Sequence, residues 1–258
     1  LTNEVSVLEY FSPSGIHVFA HRGLVSGKAA ENTLKAFQDA LDAGATHLET
    51  DVQATKDGVA VLFHDNTLER VAGINRDVKD LTYEQLRQIE LPGGPIVSLQ
   101  EALEKMPDAR FNLDIKRSIA IEPTVRAIVA AKGQNRVLVS SFSDARRRKA
   151  MRLLRAKGLT VAAGMGLAKI LLAVLAAKLR MRWLFNLVAQ GSQAIQVPYE
   201  HPLINPLKPR FIEYVLDAGL QLNYWVVNEA QTMHELVGLG ATGIVSDRAD
   251  VAAKALRH

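Results

Sequence analysis

HLETDVQATKDGVAVLFHD, His47 to Asp65, is the stretch on which the reading of this chain turns. Leu48, Thr50 and Val52 alternate with Glu49, Asp51 and Gln53, the period-two pattern of a strand with one apolar and one polar side. Glu49 and Asp51 therefore point the same way, about 7 Å apart. Two such carboxylates repel each other and lose hydration if buried, so they need a positive partner. A divalent cation meets that need, and hard oxygen ligands suit Mg²⁺ or Ca²⁺ rather than zinc. A bare E-x-D is as readily a solvated strand face, but its neighbours count against that. Thr55-Lys56-Asp57-Gly58 reads as a turn, and Val59 to Phe63 as a second strand that delivers His64-Asp65 to a strand end beside the acids. The companion motif is His21-Arg22-Gly23.

Outward from this hairpin, strand and helix signals alternate, as in parallel βα units. Strands are expected at residues 17–20, 46–52, 111–115, 137–141, 159–163, 194–197, 220–227 and 243–245. Helices fall between them at 32–43, 99–105, 121–131, 144–157, 167–182, 206–218, 230–239 and 249–256. Eight strands at this length fit an α/β fold of the (β/α)₈ barrel type. Gly44, Gly133, Gly158, Gly219 and Gly240 follow helices where a left-handed cap is wanted. No linker divides residues 1–258, which read as one domain with an insertion at about 66–95. Within it, Thr82 followed by Gln85 is a capping-box pattern for one short helix. The insertion either shapes a substrate mouth or is passive.

Composition narrows the function classes. The chain has 258 residues, 48% hydrophobic and 22% charged, with a net charge of +4. That mild basicity suits an anionic small-molecule substrate and is far from a nucleic-acid signature. The run Arg146-Arg147-Arg148-Lys149 reads as a solvated helix face. With no cysteine there is no disulfide framework, thiolate nucleophile or zinc-cysteine site. Residues 1 to 16 lack a basic opening and a continuous apolar core, so no signal peptide is expected and the expected location is cytoplasmic.

Chemistry in such a barrel sits at the carboxyl ends of the strands. There the sequence places His21 and Arg22, Glu49 and Asp51, Asp114 and Lys116, Ser140 and Ser141, Gln196, Trp225 and Asn228, and Asp247, with His64 arriving by the hairpin. The chain resembles the glycerophosphodiester phosphodiesterase family. The residues that carry the resemblance are HRG at 21–23, ENT at 31–33, ETDVQATKDGVAVLFHD at 49–65, LDIK at 113–116, YWVVN at 224–228 and GIVSDRAD at 243–250. The resemblance implies a (β/α)₈ barrel with a small insertion after the second strand. It also implies metal-dependent hydrolysis of a phosphodiester, such as glycerophosphocholine, to glycerol 3-phosphate and an alcohol. One departure stands out: the third metal acid, usually glutamate in an E-x-K pattern, is Asp114 here.

The same chemistry can be built from the residues. A phosphodiester anion resists attack, and a cation held by Glu49, Asp51 and Asp114 would neutralise it. Arg22 and Lys116 supply fixed positive charge to the phosphate oxygens. His21 and His64 suit the acid and base of an in-line displacement. The nucleophile is either the substrate's own glycerol hydroxyl, through a cyclic phosphate, or water. Trp225 either lines the mouth and holds the alcohol, including a quaternary ammonium, or is core. His47 is packed or exposed, and His17, His201, His234 and His258 lie away from the cluster.

The stretch from Leu167 to Val188 fits the barrel least well. Its longest apolar run, Ile170 to Ala177, is too short for the ~20 residues of a membrane span. Lys169, Ala173, Ala176 and Arg180 share one narrow helical face and almost everything else is large and apolar, too wide a hydrophobic surface for an outer helix. Either it packs on neighbours or a second subunit as a homodimer, or it lies on a lipid surface as a peripheral membrane contact. The second case would shift the substrate towards lysophospholipids, as in a lysophospholipase D. A binding protein on this barrel would not need both His21 and His64. An aldolase would need a free strand-end lysine, and Lys116 lies beside an acid.

Overall fold

The computed structural model describes residues 9–12, 14–201 and 205–256. The barrel strands are β1 (His17–His21), β2 (His47–Ala54), β3 (Phe111–Ile115), β4 (Val137–Ser140), β5 (Ala162–Ala163), β6 (Ala194–Pro198), β7 (Gln221–Trp225) and β8 (Gly243–Ser246). They pair in parallel in the order β5-β4-β3-β2-β1-β8-β7-β6. The ring closes through a single bridge between Gly164 and Ala194, flanked by hydrogen bonds from Met165 N–H to Ala194 O (2.9 Å) and from Gln193 N–H to Ala163 O (2.8 Å). This is the expected (β/α)₈ barrel, thinnest at β5, where two residues pair and the sequence suggests five.

The outer helices are α1 (Leu34–Asp42), α2 (Leu99–Lys105), α3 (Ile121–Ala130), α4 (Asp144–Ala156), α5 (Leu167–Lys178), α6 (Arg182–Ala189), α7 (Pro209–Asp217), α8 (Ala230–Gly238) and α9 (Ala249–Leu256). Side-chain caps set several of their starts: the hydroxyls of Thr33 and Ser98 accept from the N–H groups of Ala36 and Glu101. Strand alternation then sorts the core. Leu48 and Val52 of β2 pack outward into the main strand–helix core, while His47, Glu49 and Asp51 fall on the alternate, barrel-lining side.

His47 belongs to the barrel floor. It is fully buried, with ring centroids 4.6 Å from Phe19, 4.8 Å from His17 and 4.9 Å from Tyr10. Its Nε2 bonds to Tyr10 O at 2.9 Å. Burial, reinforced by His17, pushes its pKa down to about 3, so the ring is neutral. Of the two sequence readings, packed or exposed, packed is the observed one.

The hairpin forms as expected, with Ala60–Leu62 antiparallel to β2 and Gly58 at φ 77° in the turn. The insertion adds two short strand pairs and its own small core, which includes Val61, Phe63, Leu68 and Leu86. The helix Tyr83–Arg87 carries the full Thr82–Gln85 capping box.

Three expectations change. At the end of α3 the left-handed residue is Lys132, not Gly133, whose added Cβ would meet Leu103 at 3.3 Å. The Arg146–Lys149 run is not a uniformly solvated face: Arg147 is buried, its guanidinium 3.6 Å from Asp144. The single helix expected over 167–182 is two, because Arg180 turns left-handed and Met181 N–H bonds back to Ala176 O at 2.8 Å, closing the first helix.

His47→Ala should destabilise the fold by about 2–4 kcal/mol, the scale of emptying a well-packed aromatic site, in urea or thermal unfolding, while turnover of the folded protein changes little. A turnover loss as large as that from replacing His64 would contradict a purely structural role.

Candidate active site

Strand register builds the centre. His21 aligns with Glu49, and Asp51 aligns with Asp114, which aligns with Ser140. Residues opposite one another on neighbouring strands share a face, so Asp51 and Asp114 stand side by side inside the barrel mouth. Lys116 spans them, with Nζ 2.6 Å from Asp51 Oδ1 and 2.8 Å from Asp114 Oδ2. Arg22 Nε lies 3.2 Å from Asp51 Oδ2.

These two cations do not satisfy three buried carboxylates. Glu49 Oε2, Asp51 Oδ2 and Asp114 Oδ1 are buried and accept no hydrogen bond among the described residues. Burial, with the charge of Asp51 added, pushes the Glu49 carboxyl up to about 8. Burial also raises Asp114, against the pull of Lys116. Lys116 itself is held above its usual value, because Asp114 and Asp51 outweigh a desolvation that works the other way. Among the described residues no group of three or more histidine, aspartate or glutamate side chains is arranged as a metal centre. The Lys116 ammonium lies between two of the three acids that the sequence nominates.

Both nominated histidines are held by carboxylates. His21 Nδ1 is 2.7 Å from Asp247 Oδ1, and Asn228 fixes Asp247 by donating to Oδ2 and accepting from its backbone N–H, both at 2.9 Å. The other ring nitrogen, Nε2, lies 3.9 Å from Glu49 Oε2. Burial works against a charge on His21, but Asp247 and Glu49 prevail and its pKa rises. His64 Nδ1 is 2.5 Å from Asp65 Oδ1. Arg70, from the short insertion helix Glu69–Ala72, donates from Nε to Asp65 Oδ2 at 2.5 Å and grips Glu31 through both terminal nitrogens at 2.6 and 2.9 Å. In each pair the carboxylate orients the ring and leaves Nε2 for other work.

All eight residues nominated from sequence, His21, Arg22, Glu49, Asp51, His64, Asp114, Lys116 and Trp225, line one cavity of about 460 Å³. Its opposite wall is apolar: Phe142, Met165, Leu167, Ile170 and Leu171. Trp225 is half-buried and meets Phe142 edge-on at 6.2 Å, and Lys116 Nζ lies 5.9 Å from the Phe142 ring centre. His201, set apart in the sequence reading, also lines the cavity. His17 is buried at the barrel base and His234 is exposed on α8, while His258 lies outside the described residues. Sequence reasoning missed the partnerships of Asp247 and Asp65, the brace from Arg70, and Phe142. Only Asp65, adjacent to His64, carried a local signal.

A tight turn aims His21 and Arg22. Arg22 and Gly23 adopt φ 58° and 86°, and a Cβ on Gly23 would meet Ala36 backbone and side-chain atoms at 2.7–2.8 Å. Gly23→Ala should therefore cost more than about 1 kcal/mol, since it adds backbone strain to a backbone clash, and should lower turnover through a displaced Arg22. Unfolding and activity indistinguishable from the parent would show that the turn tolerates a side chain.

The model of the glycerophosphoryl diester phosphodiesterase family matches residues 21–251. The chain is similar to a probable glycerophosphodiester phosphodiesterase 2 of Mycobacterium tuberculosis, at 36% identity over 245 residues, 95% of this chain and 92% of that one. It superposes on a glycerophosphodiester phosphodiesterase of Agrobacterium tumefaciens with a TM-score of 0.75 at 20% identity, covering 93% of this chain and 98% of the other. A phosphodiesterase of Oleispira antarctica, solved in complex with the product sn-glycerol-3-phosphate, matches with a TM-score of 0.70 at 21% identity, covering 93% and 96%. A match over nearly the whole barrel, with five of the six motifs contributing residues to one cavity, shows that the chain belongs to the glycerophosphoryl diester phosphodiesterase family.

Proposed function

We propose that the chain hydrolyses glycerophosphodiesters to glycerol 3-phosphate and an alcohol, with a divalent cation, Mg²⁺ or Ca²⁺, held by Glu49, Asp51 and Asp114. The observation that carries this reading is the meeting, in one cavity, of under-compensated buried carboxylates, two fixed cations and two carboxylate-held imidazoles. Each of the three acids keeps a buried oxygen that accepts no hydrogen bond, the hard donor that such a cation takes. When bound, the cation would supply charge neutralisation to the phosphate.

The chain's own residues account for the remaining steps. Arg22 and Lys116 bind the phosphate oxygens on which charge builds. One imidazole takes the proton of the attacking hydroxyl as the new P–O bond forms, and the other gives a proton to the alcohol oxygen as the old P–O bond breaks. Trp225 and Phe142 enclose the alcohol. A second reading, hydrolysis of lysophospholipids, is favoured by one observation: Leu167, Ile170 and Leu171 extend the apolar wall beyond what a small alcohol needs.

The test is a turnover screen of glycerophosphocholine, glycerophosphoethanolamine, glycerophosphoinositol and lysophosphatidylcholine with Mg²⁺, Ca²⁺ and Mn²⁺. Chelation should abolish turnover, and Glu49→Gln, Asp51→Asn and Asp114→Ala should each weaken metal binding in calorimetry. Full activity in excess EDTA would end the metal reading. His21→Ala and His64→Ala should each lower kcat by about 10²-fold or more, the scale of losing a positioned acid or base, with metal binding retained. Unchanged kcat in either variant would remove that histidine from the mechanism.

A further inference from the structure

Helix α5 is packed nearly inside out. Ala173, Ala176 and Ala177 are buried along with Ile170, while Leu167, Leu171, Leu172 and Leu175 face outward. The narrow face that the sequence marks as the less apolar one, Lys169, Ala173, Ala176 and Arg180, thus contains the two alanines that pack inward. Of thirteen exposed large hydrophobic residues among the described residues, seven lie between Leu167 and Leu187. Trp183 is 66% exposed and Leu179 56%. Leu167, Leu171, Leu175 and Leu179 recur every four residues, so they form one stripe. Its first two members line the catalytic cavity and its last two lie beyond it. The apolar surface therefore runs continuously from the phosphate site out along the helix.

Charge along the segment that carries this stripe is of one sign. Residues 145–199 contain eleven Lys and Arg and no Asp or Glu, whereas the remainder of the chain has 20 basic residues against 27 acidic. Lys178 and Arg180, beside Leu175 and Leu179, are exposed and form no ion pair among the described residues. Arg148, Arg152 and Arg155 on the neighbouring α4 are exposed as well. Arg182 is tied to Glu213 and Asp217 and holds α6 against α7.

We propose that the outward face of α5–α6 docks this enzyme on an anionic lipid bilayer, with the leucine stripe and Trp183 in the interface and Lys178 and Arg180 among the headgroups. A second copy of the chain fits the same surface poorly. A twofold contact would set the unpaired cations Lys178 and Arg180 of two copies against each other and would cover the cavity rim at Leu167 and Leu171. A bilayer neutralises the cations and leaves the cavity at the edge of the contact, where phosphodiesters of lipid origin arise. The inference goes beyond the hydrolytic reading and is read out without substrate, so the two can fail separately.

The experiment is flotation of the purified full chain with vesicles of phosphatidylcholine alone or mixed with phosphatidylglycerol, alongside light scattering for oligomeric state. The parent should float with anionic vesicles and lose binding as salt rises. Lys178→Gln with Arg180→Asn should weaken that binding roughly 25-fold, at about fivefold per basic residue near an anionic surface. Leu175→Ser with Leu179→Ser and Trp183→Ser should abolish it. Both variants should keep the parental circular dichroism and thermal unfolding midpoint, which certifies their fold without substrate, and parental turnover of glycerophosphocholine in vesicle-free solution. No flotation of the parent at low salt, or equal flotation of both variants, would overturn the proposal. So would a parental dimer that the serine variant dissolves, because that assigns the face to a second copy.

Discussion

Three carboxylates held out of water at the mouth of the barrel are the constraint around which this structure is arranged. An unpaired buried charge is far more costly than any surface interaction in the fold, so positive groups must be brought to Glu49, Asp51 and Asp114 from elsewhere in the chain. The main chain delivers them by register. Lys116 follows Asp114 by two residues and so reaches both Asp114 and Asp51 from the same face, while Arg22 comes over from the end of β1 through a left-handed turn that only Gly23 can complete. What these cations leave unsatisfied, above all at Glu49, keeps the three acids from closing into a salt-bridge cluster, and it is there that the proposed cation and phosphate would sit.

The same economy of charge positions the histidines. His21 is fixed by Asp247 and Asn228 at the ends of β8 and β7, so strands distant in sequence jointly set one ring. His64 is fixed by Asp65, and Asp65 by Arg70, whose other hand holds Glu31. The insertion is therefore not passive. Its first helix carries the arginine that ties the hairpin to the turn after β1, and its small core of Phe63, Leu68 and Leu86 gives that helix a rigid base.

The opposite side of the barrel is built on the smallest side chains. β5 is the shortest strand and closes the ring through one bridge. Against it and its neighbours, α5 presents Ala173, Ala176 and Ala177, which let the helix approach closely but bury little apolar area per residue. The large side chains are left outside, and the rim of the cavity merges with that outer surface at Leu167 and Leu171.

By itself the sequence determined the barrel, because eight apolar strands punctuated by helices and glycines are a local, periodic signal. It also determined all eight nominated cavity residues, since strand-end positions in a barrel converge on one mouth whatever the loops do. The Thr82 cap, the hairpin at Gly58 and the packed alternation of β2 were legible for the same reason: each depends on neighbours within a few residues. Tertiary structure alone decided which way α5 faces, that it ends before Arg180, that Arg147 is buried, and that Asp247 and Arg70 serve the two histidines. Those outcomes depend on contacts between groups dozens to hundreds of residues apart, and on a competition for burial in which close approach through alanine displaced the burial of leucine. Periodicity reports how hydrophobic each face of a helix is, but not which face its neighbours have room to receive.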